Sequence, residues 1–232
     1  MSDPGAPTWT FPPIADLPDD DLVAFGADLS TGTLVAAYRA GYFPMPLTLP
    51  LSEALRARKR TEIGWFHPVE RGVLVPARLH VSRSLRRSLR RFTATVDRCF
   101  SDVVAACGDP ARPHGWIDRD ITSAYTELHR RGVAHSIEIW DHEGLAGGLY
   151  GVAIGGLFAG ESMFHHRTDA SKAAMVALVD LIGPEPERLI DVQWLTDHLA
   201  SMGCERVERA DYVERLDRAL ELDLPEVFRS RP

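Results

Sequence analysis

Cysteine is scarce in this chain and carries no motif. Cys99, Cys107 and Cys204 are scattered through 232 residues, with no CxxC spacing among them. An odd, dispersed set excludes a disulfide-built scaffold and suits a reducing compartment, so a cytoplasmic protein is expected. A run fit to span a membrane is also missing. The sixteen uncharged residues from Leu145 to Gly160 fall short of the ~20 that a span needs, are laden with glycine, and lie between Glu143 and Glu161. The start, MSDPGAPTWTFPP, has neither a basic nor an apolar region of the secretory kind, and no signal peptide is expected. Nor is there an excess of positive charge. A net charge of −7 argues against a protein that coats nucleic acid or anionic membrane over its whole surface, while leaving room for a local basic patch.

Several catalytic signatures are absent as well. GxxxxGK[ST] does not occur, nor does GxGxxG between a strand and a helix, so binding of a nucleoside triphosphate or dinucleotide is not expected. No GxSxG elbow is found. His165 and His166 are adjacent rather than spaced as in HExxH, and no metal site is expected.

What is present describes an ordinary globular chain, with 45% apolar and 25% charged residues, long enough for one large domain or two small ones. The first seventy residues are rich in proline and look separate, with one short helix after Ser30 that stops at Gly41. RARKRTE (56–62) reads as an exposed loop. Further on, Asp118–Arg131 reads as a helix with Ile121, Ala124, Tyr125 and Leu128 on one face. AHSIEIWD (134–141) reads as a strand and DHEG (141–144) as a turn. SKAAMVALVDLI reads as a helix capped by Asp169 or Ser171 and ended by Gly183-Pro184. RLIDVQW (188–194) is a strand, LTDHLASMG a short helix, and CERVER a last strand. Strands and helices mix without strict alternation, which predicts an α+β layer.

Three stretches carry chemistry. GGLYGVAIGGLFAGESMF (147–164) holds six glycines. It is too apolar for a tether, and reads as two strands, 145–154 and 157–164, turning at Gly155-Gly156. Glycine within strands marks either tight packing or the close approach of a ligand. SRSLRRSLRRF (82–92) sets Arg83, Arg86, Arg87, Arg90 and Arg91 on one helical face, opposite Leu85, Leu89 and Phe92. Arginine forks phosphate, so a nucleic-acid backbone is the natural partner, with a plain solvated face as the alternative. In LIDVQW, Asp191 and Gln193 share a strand face and Val192 points the other way, into a core. A carboxylate beside a carboxamide can orient an amine or polarise an ester carbonyl, or Asp191 can merely cap the next helix.

Taken in order, AFGADLSTGTLVAAYRAGYFP, GWI, AHSIEIW, GGLYGVAIGGLFAGESMF, DASKAAM, IDVQW and HLASMG resemble the bacterial leucyl/phenylalanyl-tRNA–protein transferases from about residue 20 to 215. The resemblance implies a small N-terminal domain (1–72) and an acetyltransferase-like (GNAT-like) C-terminal domain (73–232) with a mixed sheet flanked by helices. It implies transfer of Leu, Phe or Met from aminoacyl-tRNA to a protein with N-terminal Arg or Lys, marking it for degradation, by a monomer that uses no cofactor or metal and no membrane. It makes Asp191 and Gln193 the catalytic pair, with Glu161 among the reacting groups. Trp116 would contact the terminal adenosine, where Met45 replaces a second tryptophan with a thioether that can still pack on a base. Leu149, Phe158, Met163, Met175, Leu178, Ile182 and Ile190 would line the amino-acid pocket, with the glycine hairpin as its wall. The arginine stripe would hold tRNA. FHHR departs from the family's serine-containing stretch, so His165 and His166 receive no role. Two other classes stay open: a CoA-dependent N-acetyltransferase of the same fold, for which no pyrophosphate-gripping turn is found, and a noncatalytic tRNA-binding module, which would have no use for Asp191 or Gln193.

Overall fold

A computed structural model describes residues 3–48, 61–112 and 115–229. The N-terminal part forms a three-stranded antiparallel sheet of β1 (Leu22–Phe25), β2 (Phe43–Thr48) and β3 (Thr61–Phe66), in the order β1-β3-β2. Helix α1 (Thr31–Arg39) begins where the Ser30 hydroxyl accepts from the Thr33 amide. β2 was not expected from sequence. Pro44 and Pro46 hide it, and they are tolerated because β2 is an edge strand. Of the expected loop 56–62, residues 56–60 lie outside the described residues, and Thr61 and Glu62 belong to β3.

The larger sheet has seven strands: β4 (Glu70–Leu74), β5 (Thr93–Val96), β6 (Ala134–Asp141), β7 (Gly144–Ile154), β8 (Leu157–His165), β9 (Leu189–Gln193) and β10 (Glu205–Glu208). Their order is β10-β4-β9-β8-β7-β6-β5. Only β8 and β9 run parallel, because α5 (Ala170–Ile182) crosses over between them. The remaining helices are α2 (Arg83–Leu89), α3 (Phe100–Cys107), α4 (Arg119–Arg130), α6 (Asp197–Ala200), α7 (Arg209–Glu221) and α8 (Glu226–Arg229). The result is a mixed α+β fold with helices on both faces of the sheet. β4, unassigned by sequence, straddles residue 72.

Alternation along β7 divides the core. Tyr150, Val152 and Ile154 join α1, α3, α4 and α7 on one face, while Ala146, Leu149 and Ala153 meet α5 on the other. The small sheet packs on the first face, so Tyr38, Phe43 and Trp65 share a core with Tyr125 and Tyr150.

Two local expectations need correction. α2 ends at Leu89, with Arg90 as its C-cap. The basic stripe is therefore Arg83, Arg86 and Arg87 on the helix, continued by Arg90 and Arg91 in the turn. Asp169 occupies the N-cap of α5 with a left-handed backbone but makes no cap hydrogen bond. Its carboxylate instead accepts from the Ser88 hydroxyl at 2.6 Å, tying α2 to α5.

The glycine hairpin is explained mostly by packing. A Cβ on Gly151 would lie 2.3 Å from the Ala159 carbonyl oxygen and 2.6 Å from the Phe158 ring, and one on Gly147 would meet the Ala170 methyl at 2.7 Å. Gly160 differs, since its nearest obstacle is the Asp191 carbonyl oxygen at 3.6 Å. Gly151→Ala should therefore cost about 3 kcal/mol and lower Tm by roughly 6–12 °C, whereas Gly160→Ala should move it by less than about 2 °C. Thermal unfolding of the two variants side by side checks this, and equal losses would refute the packing argument.

Candidate active site

The site forms where the parallel pair parts. β8 and β9 are in register only from Leu157↔Leu189 to Ala159↔Asp191. Beyond that, β8 carries a bulge: Tyr150 faces Ser162 and Gly151 faces Gly160, leaving Glu161 as the extra residue. A bulge re-aims its side chain out of the alternating pattern, and here it directs a carboxylate into the opening. β9 ends at Gln193, whose φ of 59° is left-handed.

Glu161 is only 6% exposed. It accepts from the hydroxyls of Tyr38 (2.7 Å) and Tyr125 (2.9 Å), which also bond to each other, and from Nε2 of Gln193 (3.2 Å). Burial raises its pKa from 4.5 to about 7, against the pull of the two tyrosine hydrogen bonds. Burial first, and then the Glu161 charge, keep both tyrosines well above the ordinary phenol range.

Asp191 is shut in, 1% exposed. Arg71 donates to it from Nε (2.8 Å) and Nη2 (2.5 Å), Tyr212 from its hydroxyl (2.9 Å), and Gln193 from its backbone amide (2.9 Å). The Arg71 guanidinium lies between the rings of Phe43 and Tyr212 and also donates to the Gly41 carbonyl. Asp191 and Gln193 thus do not present side chains together. The left-handed turn sends the Gln193 amide back to Asp191 and its carboxamide forward to Glu161.

A cavity of about 590 Å³ opens from this point. Glu161, Gln193, Met45 and Trp116 line it, as do Leu149, Phe158, Met163, Met175, Leu178 and Ile190. Ile182 does not; it sits in the core behind, near the end of α5. Val192, expected to face only core, lines the cavity too. Gly160 is the one hairpin glycine on this wall, so the backbone wall expected from six glycines is a single residue wide. Sequence reasoning missed Arg71, Tyr38, Tyr125 and Tyr212 as site residues, and also the cavity residues Arg112, His165, Ser171 and His198. No local spacing joins positions 38, 125 and 161. Ser171 and His198 lay within DASK and HLASMG, but nothing in those motifs said where the side chains point.

Fold and site together define an α+β protein with a cavity that is lined largely by apolar side chains and carries the buried Glu161 carboxyl in its lining. The chain belongs to the leucyl/phenylalanyl-tRNA protein transferase family, whose model matches residues 73–217, with the family's N-terminal domain matched at 27–48. It is 47% identical to the leucyl/phenylalanyl-tRNA–protein transferase of Anaeromyxobacter sp. (strain Fw109-5), over 90% of this chain and 87% of that one. It is 44% identical to the same-named protein of Oleidesulfovibrio alaskensis, over 92% and 86%. Among solved structures, a conserved protein of unknown function from Bacteroides thetaiotaomicron superposes with a TM-score of 0.39 and 12% identity, covering 68% of this chain and 58% of that one, too distant to inform the site.

Burial of Glu161 ties stability to pH. Below about pH 4.5 folded and unfolded chains both hold the proton. As pH rises toward 7 the unfolded chain releases it first, and above 7 the fold must carry a buried charge, a loss of about 3 kcal/mol. Glu161→Gln cannot ionise and still offers Tyr38 or Tyr125 an acceptor. Its Tm relative to the parent should rise steadily between pH 5 and 8. A constant difference across that range would show that Glu161 titrates as an ordinary surface carboxylate.

Proposed function

We propose that this protein moves leucine, phenylalanine or methionine from its aminoacyl-tRNA to the N-terminal Arg or Lys of an acceptor protein, marking the acceptor for degradation. The observation that carries the reading is an apolar cavity that ends on Glu161, in a chain of this family. The amino-acid side chain would lie among Leu149, Phe158, Met163, Met175, Leu178 and Ile190, and the terminal adenosine against Trp116 and the Met45 thioether.

The acceptor's amine attacks the ester carbonyl. A C–N bond forms, and the bond from the carbonyl carbon to the ribose 3′ oxygen breaks. The incoming ammonium must first lose a proton. An α-amine titrates at about 7.7–8.0, nearly four units above a free aspartate, so an ordinary carboxylate is a poor base for it. Glu161, raised to about 7, is matched to the task. Attack makes the nitrogen acidic, and its second proton passes to the departing ribose oxygen. One Gln193 carboxamide hydrogen is spent on Glu161, leaving the other for the ester carbonyl. Asp191 acts through its bond to the Gln193 amide, as a positioning residue. The ester is already activated, so the reading calls for no cofactor.

Arg83, Arg86, Arg87, Arg90 and Arg91 are exposed, and none of them forms an ion pair among the described residues. They would take tRNA phosphates beside the cavity, joined to it by the Ser88–Asp169 bond. The parallel pair splayed at the start of α5 supports an acetyltransferase-like arrangement. The separate family matches support an N-terminal unit at 1–72 and a transferase unit at 73–232. Among the described residues no helix is long and apolar enough to cross a membrane.

The test is incubation with labelled Leu-tRNA or Phe-tRNA and a protein bearing N-terminal Arg. Glu161→Gln should lower kcat about a hundredfold or more, and Gln193→Ala by less, with tRNA affinity kept. Asp191→Ala should also unfold more easily, by about 3–5 kcal/mol, because Arg71 is left buried without its partner. Replacing Arg83, Arg87 and Arg90 by Ala should flatten the slope of log K against log salt by about 0.7–0.9 per lost contact. Full transfer by Glu161→Gln would remove it as the base, and an unchanged slope would make the stripe a solvated surface.

A further inference from the structure

The end of the cavity at the start of α5 has a different chemistry from its apolar wall, and the transfer reaction as described makes no use of it. The end is built on the first turn of α5, a helix of 13 residues. Asp169 fails to cap it, since its carboxylate is turned to Ser88. The amides of Ser171 and Lys172 have no backbone acceptor among the described residues. The Ser171 side chain is 5% exposed and faces the cavity, yet its hydroxyl has no partner among the described residues. His198 lines the same end, with a buried Nε2 that has no hydrogen-bond partner among the described residues. His165 lines it as well, and Lys172 lies near His198 with no ion-pair partner among the described residues. Burial first, then the charges of Lys172 and His165, hold the His198 pKa below its ordinary value, opposed only by Asp169.

We infer that this end of the cavity is a phosphate subsite, which takes the phosphodiester joining the last two nucleotides of the aminoacyl-tRNA. The start of an uncapped helix offers two free amides and the positive end of its dipole. The Ser171 hydroxyl and His198 Nε2 add two donors, and Lys172 supplies positive charge. A phosphate oxygen would satisfy the groups that the protein leaves unpaired, which is the usual resolution of buried polar atoms. An acidic side chain of the acceptor would meet the same donors. The phosphodiester is favoured because Trp116 and Met45, the proposed adenosine contacts, line the same cavity, and because α2, the proposed tRNA contact, is bonded to Asp169 at this helix start.

The inference rests on the aminoacyl-tRNA reading, so its test has one arm that needs no transfer. In that arm, calorimetry compares AMP, adenosine and inorganic phosphate as probes. The parent should bind AMP about tenfold or more tighter than adenosine. Ser171→Ala and His198→Gln should each shrink that preference to about twofold. In the second arm, kcat/KM is measured for leucyl-adenosine with and without a 5′-phosphate, and the ratio of the two is read, because the ratio cancels any general damage to the pocket. The ratio should fall in both variants. Equal binding of AMP and adenosine by the parent overturns the subsite, as does a ratio that survives both substitutions. Inorganic phosphate binding as tightly as AMP would overturn its assignment to tRNA. An AMP preference with no transfer from Leu-tRNA would keep the subsite and reject the reaction.

Discussion

The buried pair of Arg71 and Asp191 is the joint on which the site hangs. Both side chains are 1% exposed, and burying two charges costs several kcal/mol each unless their remaining donors and acceptors are met. Here they are met. Asp191 has four donors to its two oxygens, and Arg71 spends a third N–H on the Gly41 carbonyl. The pair gains a specific geometry more than net stability. It joins β4 to β9, brings α7 in through Tyr212, and fixes the Gln193 amide at the point where β9 turns. It also shapes the charge at Glu161. Asp191 pushes that group's pKa up and Arg71 pulls it down, so the pair acts as a near-neutral unit and burial is left as the main influence.

The bulge at Glu161 does for the other strand what the left-handed turn at Gln193 does for β9. In regular alternation, residues 160 and 162 would share one face of β8 and residue 161 the other. With one extra residue, Glu161 faces Tyr38, Tyr125 and the Gln193 carboxamide together. Two irregular positions on neighbouring parallel strands thus make one hydrogen-bonded unit across the gap where the strands stop pairing. A continuous ladder there would have left no room for the cavity.

Much of this was legible in the sequence, and the limits are physical. AHSIEIWD, the glycine hairpin and the α4 face follow their periodicities, because tertiary packing reinforces local preference there. The shared face expected of Asp191 and Gln193 does not form, since side-chain alternation assumes that a strand continues, and this one ends in a residue with positive φ. Glycine within a strand signals either tight packing or room for a ligand. Most of the hairpin glycines are room for the protein's own Phe158, Ala170 and Leu222, and a single sequence cannot tell these apart. Arg71 gave no signal because nothing near it in the chain shows that position 191 will lie beside it. Tyr125 was legible as a core residue, which it is, but its hydroxyl is what the site uses.

The first seventy residues complete the site rather than decorate it. α1 supplies Tyr38 to Glu161, and the turn after it supplies the Gly41 carbonyl to Arg71, so one short helix and its following turn reach both Glu161 and the ion pair. Gly41 holds a left-handed backbone at φ 82°, and a Cβ there would strike His67 at 2.8 Å and Tyr212 at 2.9 Å. His67 is fully buried, and neither ring nitrogen has a hydrogen-bond partner among the described residues. Burial, then Arg71 and Arg209, press its pKa down to about 3, so it stays neutral and leaves Arg71 to Asp191. A buried histidine without hydrogen-bond partners is costly, and its ring packs edge-on against Tyr212, which donates to Asp191. The N-terminal segment therefore cannot be loosened without loosening the pair, and the pair sets Gln193. The chemistry proposed for the strands of the large sheet is held in register by a helix that belongs to the small one.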